Sequence, residues 1–147
     1  MPQLEDFAVS ALLVGEFATD RLLLHDIFRV RGWRLFEARD RRRAIHCLVR
    51  NPVQVVIAES EPAGWNWKRI LRHLRRLAPA PQLVVASRTA DDYLWAEVLN
   101  VGGYDVLIQP LERDEVERVV ASARRHYDEK PRKTALAPVV KAAAIVA

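Results

Sequence analysis

The side chains able to act chemically are few, and they fall at defined places along the chain. Four histidines, His25, His46, His73 and His126, sit inside stretches with helical spacing, which makes them surface or boundary residues and not catalysts. The one cysteine, Cys47, excludes a disulfide framework and any multi-cysteine zinc site. The turn GEFATD after the first apolar run has a single glycine, and an acid where bound phosphate needs free N–H groups. With no GxGxxG and no P-loop lysine, nucleotide binding is excluded, and the lack of a GxSxG elbow excludes a serine hydrolase. What remains is a set of polar residues at the ends of short apolar runs: Gly15-Glu16-Phe17, Glu59-Ser60-Glu61, Ala86-Ser87-Arg88 and Gln109-Pro110.

Those runs have the length and content of strands. Strands are predicted over 10–14, 33–38, 53–58, 82–86 and 104–108. Between them lie stretches of helical spacing. The first, 22–31, carries Leu23, Leu24, Ile27, Phe28 and Val30, follows Thr19 or Asp20 as a cap, and stops at Gly32. The second follows Asp40 through Ala44, Ile45, Leu48 and Val49. The third turns Trp67, Ile70, Leu71, Leu74 and Leu77 to one side. The fourth, 91–101, turns Trp95, Val98 and Leu99 inward. The fifth, 112–127, begins with acids and ends with Arg124, Arg125 and His126, which suits the helix dipole. Short, nearly all-apolar strands alternating with helices imply a parallel sheet covered on both faces, an α/β doubly wound fold. In such sheets, sites lie at the carboxyl ends of the strands, where the polar sets fall. Residues 1–9 form an N-terminal extension, 10–127 the domain, and 128–147 a C-terminal tail.

The chain has 147 residues, enough for one domain with its own core. No run reaches eighteen apolar residues, and the N-terminus has acids where a secretory leader has bases, so a cytoplasmic protein without a membrane contact is expected. The formal net charge of +4 is unevenly spread. Residues 29–76 hold 13 Lys/Arg against four acids, whereas 1–28 and 77–127 are net acidic. The basic residues Arg39, Arg41, Arg42, Arg43, Lys68, Arg69, Arg72, Arg75 and Arg76 fall on the second and third helical units, which this topology places on one side of the sheet. They mark a candidate face for nucleic acid or another polyanion.

Three segments together resemble a known family. ALLVGEFATDRLLLHDIF, VQVVIAESEPAGWNWKRIL and EVLNVGGYDVLIQPLERDEVERVV are similar, in order and spacing, to the receiver domain of bacterial two-component response regulators, the CheY-like domain. The resemblance covers residues 10–127 and implies a flavodoxin-like five-stranded sheet of order 2-1-3-4-5. It also implies a phosphorylation site, and here the site is degenerate. The two acids that follow the family's first strand and hold Mg²⁺ correspond to Gly15 and Glu16. The phospho-acceptor aspartate corresponds to Glu59, or to Ala58 counting back from Pro62. The hydroxyl after the fourth strand falls at Ala86, with Ser87 one step on. The lysine before proline is Gln109, followed by Pro110, and the aromatic switch position is Val106.

The resemblance therefore implies a stand-alone signalling module, not an enzyme. Phosphoryl transfer to a carboxylate needs positioned groups and neutralising charge. With one metal carboxylate, the lysine and the hydroxyl gone, the Mg²⁺ site is expected to be lost, leaving a vestigial pocket of Gly15, Glu16 and Glu61 around Glu59 and a domain locked in one conformation. Its output is expected to be contact with a histidine kinase or other signalling protein. A homodimer through the fourth helix, fifth strand and fifth helix is the family's other use of that face, which here offers Asp92, Tyr93, Glu97, Asp105, Glu112 and Arg113. Trp65 is placed either over the pocket or against the third helix.

Overall fold

A computed structural model describes residues 8–60 and 66–146, with side chains as far as Glu129. Glu61, Trp65 and the side chains of the predicted tail beyond Glu129 lie outside the described residues. The elements alternate: β1 (Ser10–Val14), α1 (Arg21–Arg31), β2 (Arg34–Ala38), α2 (Arg41–Arg50), β3 (Val55–Glu59), α3 (Trp67–Leu74), β4 (Gln82–Ser87), α4 (Asp92–Asn100), β5 (Asp105–Ile108) and α5 (Arg113–Val146). All pairings are parallel, and the strand order is β2-β1-β3-β4-β5.

The alternation of side chains along each strand divides the core in two. Ala11, Leu13, Val55, Ile57, Val84, Ala86 and Leu107 face α1 and α5, meeting Leu24, Phe28, Val116 and Val120. Leu12, Val14, Val56, Ala58, Leu83 and Val85 face α2, α3 and α4, meeting Ala44, Leu48, Ile70, Leu74 and Val98. Burial on both faces is why β1, β3 and β4 read as continuous apolar runs. The basic α2 and α3 lie on the same side of the sheet. Asp40 caps α2, its side chain accepting the Arg43 N–H at 2.8 Å, and Gly32 closes α1 in the left-handed conformation at φ 72°.

Some local expectations are corrected. Asp20 stands at the N-cap position of α1 but makes no side-chain cap bond, because its carboxylate turns inward. Val30, Val49 and Trp95 are exposed, not core. A short helix on a sheet hides only a narrow stripe, and in α4 that stripe is Val98. The last helix does not stop at 127. It continues through Arg124–Asp128 and His126–Glu129 pairs, i to i+4 and i to i+3, across the predicted start of the tail.

Candidate functional site

The site is built at the carboxyl edge of β1, β3 and β5. Glu59 is the last residue of β3, registered against Ala86 of β4. It is 9% exposed. Its Oε1 accepts two successive backbone N–H groups, from Glu16 and Phe17, each at 3.0 Å. Consecutive amides aimed at one point form an anion nest, and Phe17 reaches that geometry at φ 49°, held there by its buried ring. Glu59 Oε2 accepts from Gln109 Nε2 at 3.0 Å.

Gly15 makes this arrangement possible. It ends β1 at φ 135°, and a Cβ there would stand 2.6 Å from Glu59 Oε1. The longer side chain at 59 therefore fills space that any side chain at 15 would need.

Asp20, which the sequence marks only as a helix cap, belongs to the same network. It is 3% exposed. Its Oδ1 accepts the Leu111 N–H at 2.9 Å and its Oδ2 accepts Gln109 Nε2 at 3.0 Å. The Gln109 amide nitrogen thus donates one proton to each of two buried carboxylates. The Gln109–Pro110 peptide is cis, and the Gln109 N–H bonds the Ser87 carbonyl at 2.8 Å. These carboxylates meet neutral N–H dipoles ahead of the α1 N-terminus, the arrangement a buried anion requires where, as among the described residues, no ion pair is formed with it.

The other predicted positions separate. Glu16 points to solvent. Ala86 lies fully buried opposite Glu59, so no hydroxyl faces it from that position. Ser87 is buried and its Oγ accepts the Thr89 N–H at 3.1 Å. Val106 is half-buried on the α4 side of the sheet. Among the described residues no group of three or more His, Cys, Asp or Glu is placed to hold a metal ion. Burial pushes the Cys47 thiol up, which opposes thiolate chemistry.

The predicted partner face is regrouped. Glu97 reaches across to Lys68 of α3, and Arg113 pairs with Asp26 of α1. Asp105 turns back onto the Val106 N–H at 2.7 Å. Asp92, Tyr93 and Glu112 remain exposed. Beside them lies a groove of about 420 Å³ lined by Asp91, Asp92, Trp95, Val106 and Ile108. Trp95 is 51% and Ile108 66% exposed, an apolar floor with an acidic rim that the helical spacing of Trp95 had concealed.

On the basic face, His73 of α3 is held below the usual imidazole range by burial, then by Arg76, Arg41 and Arg72. The native state therefore takes up this proton less readily than the unfolded chain. The group withdraws stability as pH falls from about 6.5 through the folded value. An NMR titration of His73 is expected to give a midpoint below 6.5 that rises with added salt, as screening weakens the guanidinium field. A midpoint at or above 6.5 at low salt would contradict the arrangement.

The architecture is that of a doubly wound α/β domain whose functional edge lies at the carboxyl ends of its strands. More particularly, it is the receiver-domain, CheY-like fold. The chain superposes on the signal receiver domain of an HD domain-containing protein from Pseudomonas fluorescens with a TM-score of 0.72 and 21% identity, covering 83% of this chain and 98% of that one. An adenylate cyclase structure from Rhodopirellula baltica gives a TM-score of 0.73 at 18% identity, covering 89% and 98%. The receiver domain of Ssk1 from Saccharomyces cerevisiae, co-crystallised with the histidine phosphotransfer protein Ypd1, gives 0.66 at 11%, covering 78% and 88%. No family model and no curated protein matches the chain by sequence.

Proposed function

We propose that the protein is a receiver-type signalling module that works through protein–protein contact without phosphorylation of the acceptor position. The observation that carries this reading is the Glu59 carboxylate itself. Its Oε1 is committed to the Glu16 and Phe17 amides and its Oε2 to Gln109. Three of its four lone-pair sites are thus taken, and attack through the remaining Oε2 pair would need an in-line approach and a neutralising cation. The donor set does not fit Mg²⁺, which takes octahedral oxygen ligands. Gly15 offers no side chain and Glu16 points outward. Glu59 already serves as the internal anion of its own nest.

The same arrangement supports a domain held in one state, with no cofactor and no reaction of its own. The acidic-rimmed apolar groove between α4 and β5 suits a signalling protein, such as a histidine kinase or a second copy of this chain, that brings an apolar anchor flanked by bases. Incubation with acetyl phosphate, or with beryllofluoride and Mg²⁺, is expected to leave the amide spectrum of residues 15–17, 59 and 109 unchanged. Stoichiometric acyl phosphate at Glu59 by mass spectrometry would overturn the proposal.

A further inference from the structure

The two broad faces of the molecule treat their arginines differently. On α1 and α5, Arg21, Arg29, Arg31, Arg113, Arg118 and Arg124 each meet a carboxylate, and among the described residues only Arg125 does not. On α2 and α3, among the described residues, only Arg43, with Asp40, and Lys68, with Glu97, do so. Arg41, Arg42, Arg50, Arg69, Arg72 and Arg76 are exposed and, among the described residues, form no ion pair. Like charges gathered this way repel one another. A merely arginine-rich surface pairs its charges, as the α1 and α5 face does, whereas here the field is left open.

Its shape follows from the helices. In α2 the buried Ala44 and Leu48 fix the inner side, so Arg42 and Arg50, at 100° per residue, project outward. In α3 the buried Ile70, Leu71 and Leu74 do the same for Arg69 and Arg72. Arg41 stands on the flank toward α3, near enough to act on His73 together with Arg72 and Arg76. A groove of about 890 Å³ runs along the outer flank of α2, lined by Arg42, Arg43, His46 and Arg50 and also by Glu37 and Asp40, which are paired with Arg21 and Arg43. A helix of ten residues is about 15 Å long, and its neighbour packs about 10 Å away.

We propose that this surface binds the phosphodiester backbone of nucleic acid without reading base sequence. About 15 Å of duplex carries roughly nine phosphate charges, enough to engage four or more guanidiniums from one side. Guanidinium forks match phosphate oxygens in pairs, and the field is arginine throughout. Val49 is its one large exposed apolar side chain among the described residues, and no exposed aromatic stands there. Among the described residues the field thus has neither a stacking platform for bases nor the aromatic anchor that carries most protein–protein affinity. The inference is independent of the state of Glu59.

The test is fluorescence anisotropy of a labelled 20-base-pair duplex with the full chain, at 50 and 200 mM salt. Binding is expected at 50 mM, equal for unrelated sequences, and about a hundredfold weaker at 200 mM if four phosphates are engaged. Arg72→Glu/Arg76→Glu, on α3 and in the turn after it, and Arg42→Glu/Arg50→Glu on α2 are each expected to weaken binding at least tenfold. Arg118→Glu/Arg125→Glu on α5 makes the same charge change and should stay within twofold. The milder Arg72→Gln/Arg76→Gln pair gives the same direction should the glutamates disturb folding. Absence of binding at 50 mM overturns the proposal. So does an equal loss from the α5 pair, or competition by polyglutamate as effective as that by unlabelled duplex.

Discussion

Glu59→Ala lowers stability by about 3 kcal/mol, a fall in melting temperature of roughly 10 °C for a domain of this size. The substitution removes a carboxylate that accepts three hydrogen bonds. The Phe17 amide is buried and Phe17 stands at φ 49°, so the loop cannot simply turn that N–H toward water. Gln109 loses one of its two acceptors and keeps Asp20. Removing a buried charge returns some desolvation energy, and this limits the loss. Glu59→Gln should cost about 1 kcal/mol, because the amide oxygen still accepts both backbone N–H groups while its NH₂ opposes that of Gln109. Thermal melts followed by circular dichroism give the order alanine below glutamine below parent. An alanine variant as stable as the parent would show that the nest does not stabilise the fold.

The second large effect is expected at Gly15. Gly15→Ala forces a Cβ to within 2.6 Å of Glu59 Oε1 at a φ of 135° that other residues rarely adopt. The backbone strain is on the order of 1–3 kcal/mol, and displacement of the carboxylate adds part of the Glu59→Ala loss. A total of about 4 kcal/mol follows. The two positions are coupled, which a double-mutant cycle measures. With alanine at both, the carboxylate is gone and only the Cβ of residue 59, 3.1 Å away, is left beside the new methyl, so the double variant should be at least 1 kcal/mol more stable than the sum of the singles predicts. Strict additivity would show that glycine is required there for its backbone angle alone.

The five-unit alternation was legible because each central strand is buried on both faces and must be apolar along its whole length, whereas the strand order was implied by the family resemblance. Boundaries drifted where polar residues begin or end the ladder. Gln54 lies before β3 yet opens the sheet, its side chain accepting the Ser10 N–H at 2.7 Å. At the site, the strand-end residues could be named but not their partners. Asp20 reads as a cap, since an acid before an apolar helix usually is one. It turns inward because Gln109 and Leu111, some 90 positions later, bring N–H donors to it. Gly15 reads as a missing carboxylate, and only the fold shows that its vacancy is occupied by Glu59. Trp95 shares the helical spacing of Val98 and Leu99, and spacing does not tell how much of a short helix the sheet can cover.

The mutual fit of Gly15 and Glu59 also sets the route by which such a site could change. An aspartate placed at 15 alone meets the Glu59 carboxylate. An aspartate placed at 59 alone falls about 1.5 Å short of the amides it must satisfy, one carbon–carbon bond less than the glutamate spans. Each single step toward a pair of short acids is therefore uphill, and any side chain at 15 also meets the φ of 135° that only glycine adopts readily. Gln109 adds a third lock, since its neutral amide is matched to the two carboxylates it now bridges. Gly15, Glu59 and Gln109 thus fit one another as a set, and changing any one of them alone leaves the other two mismatched.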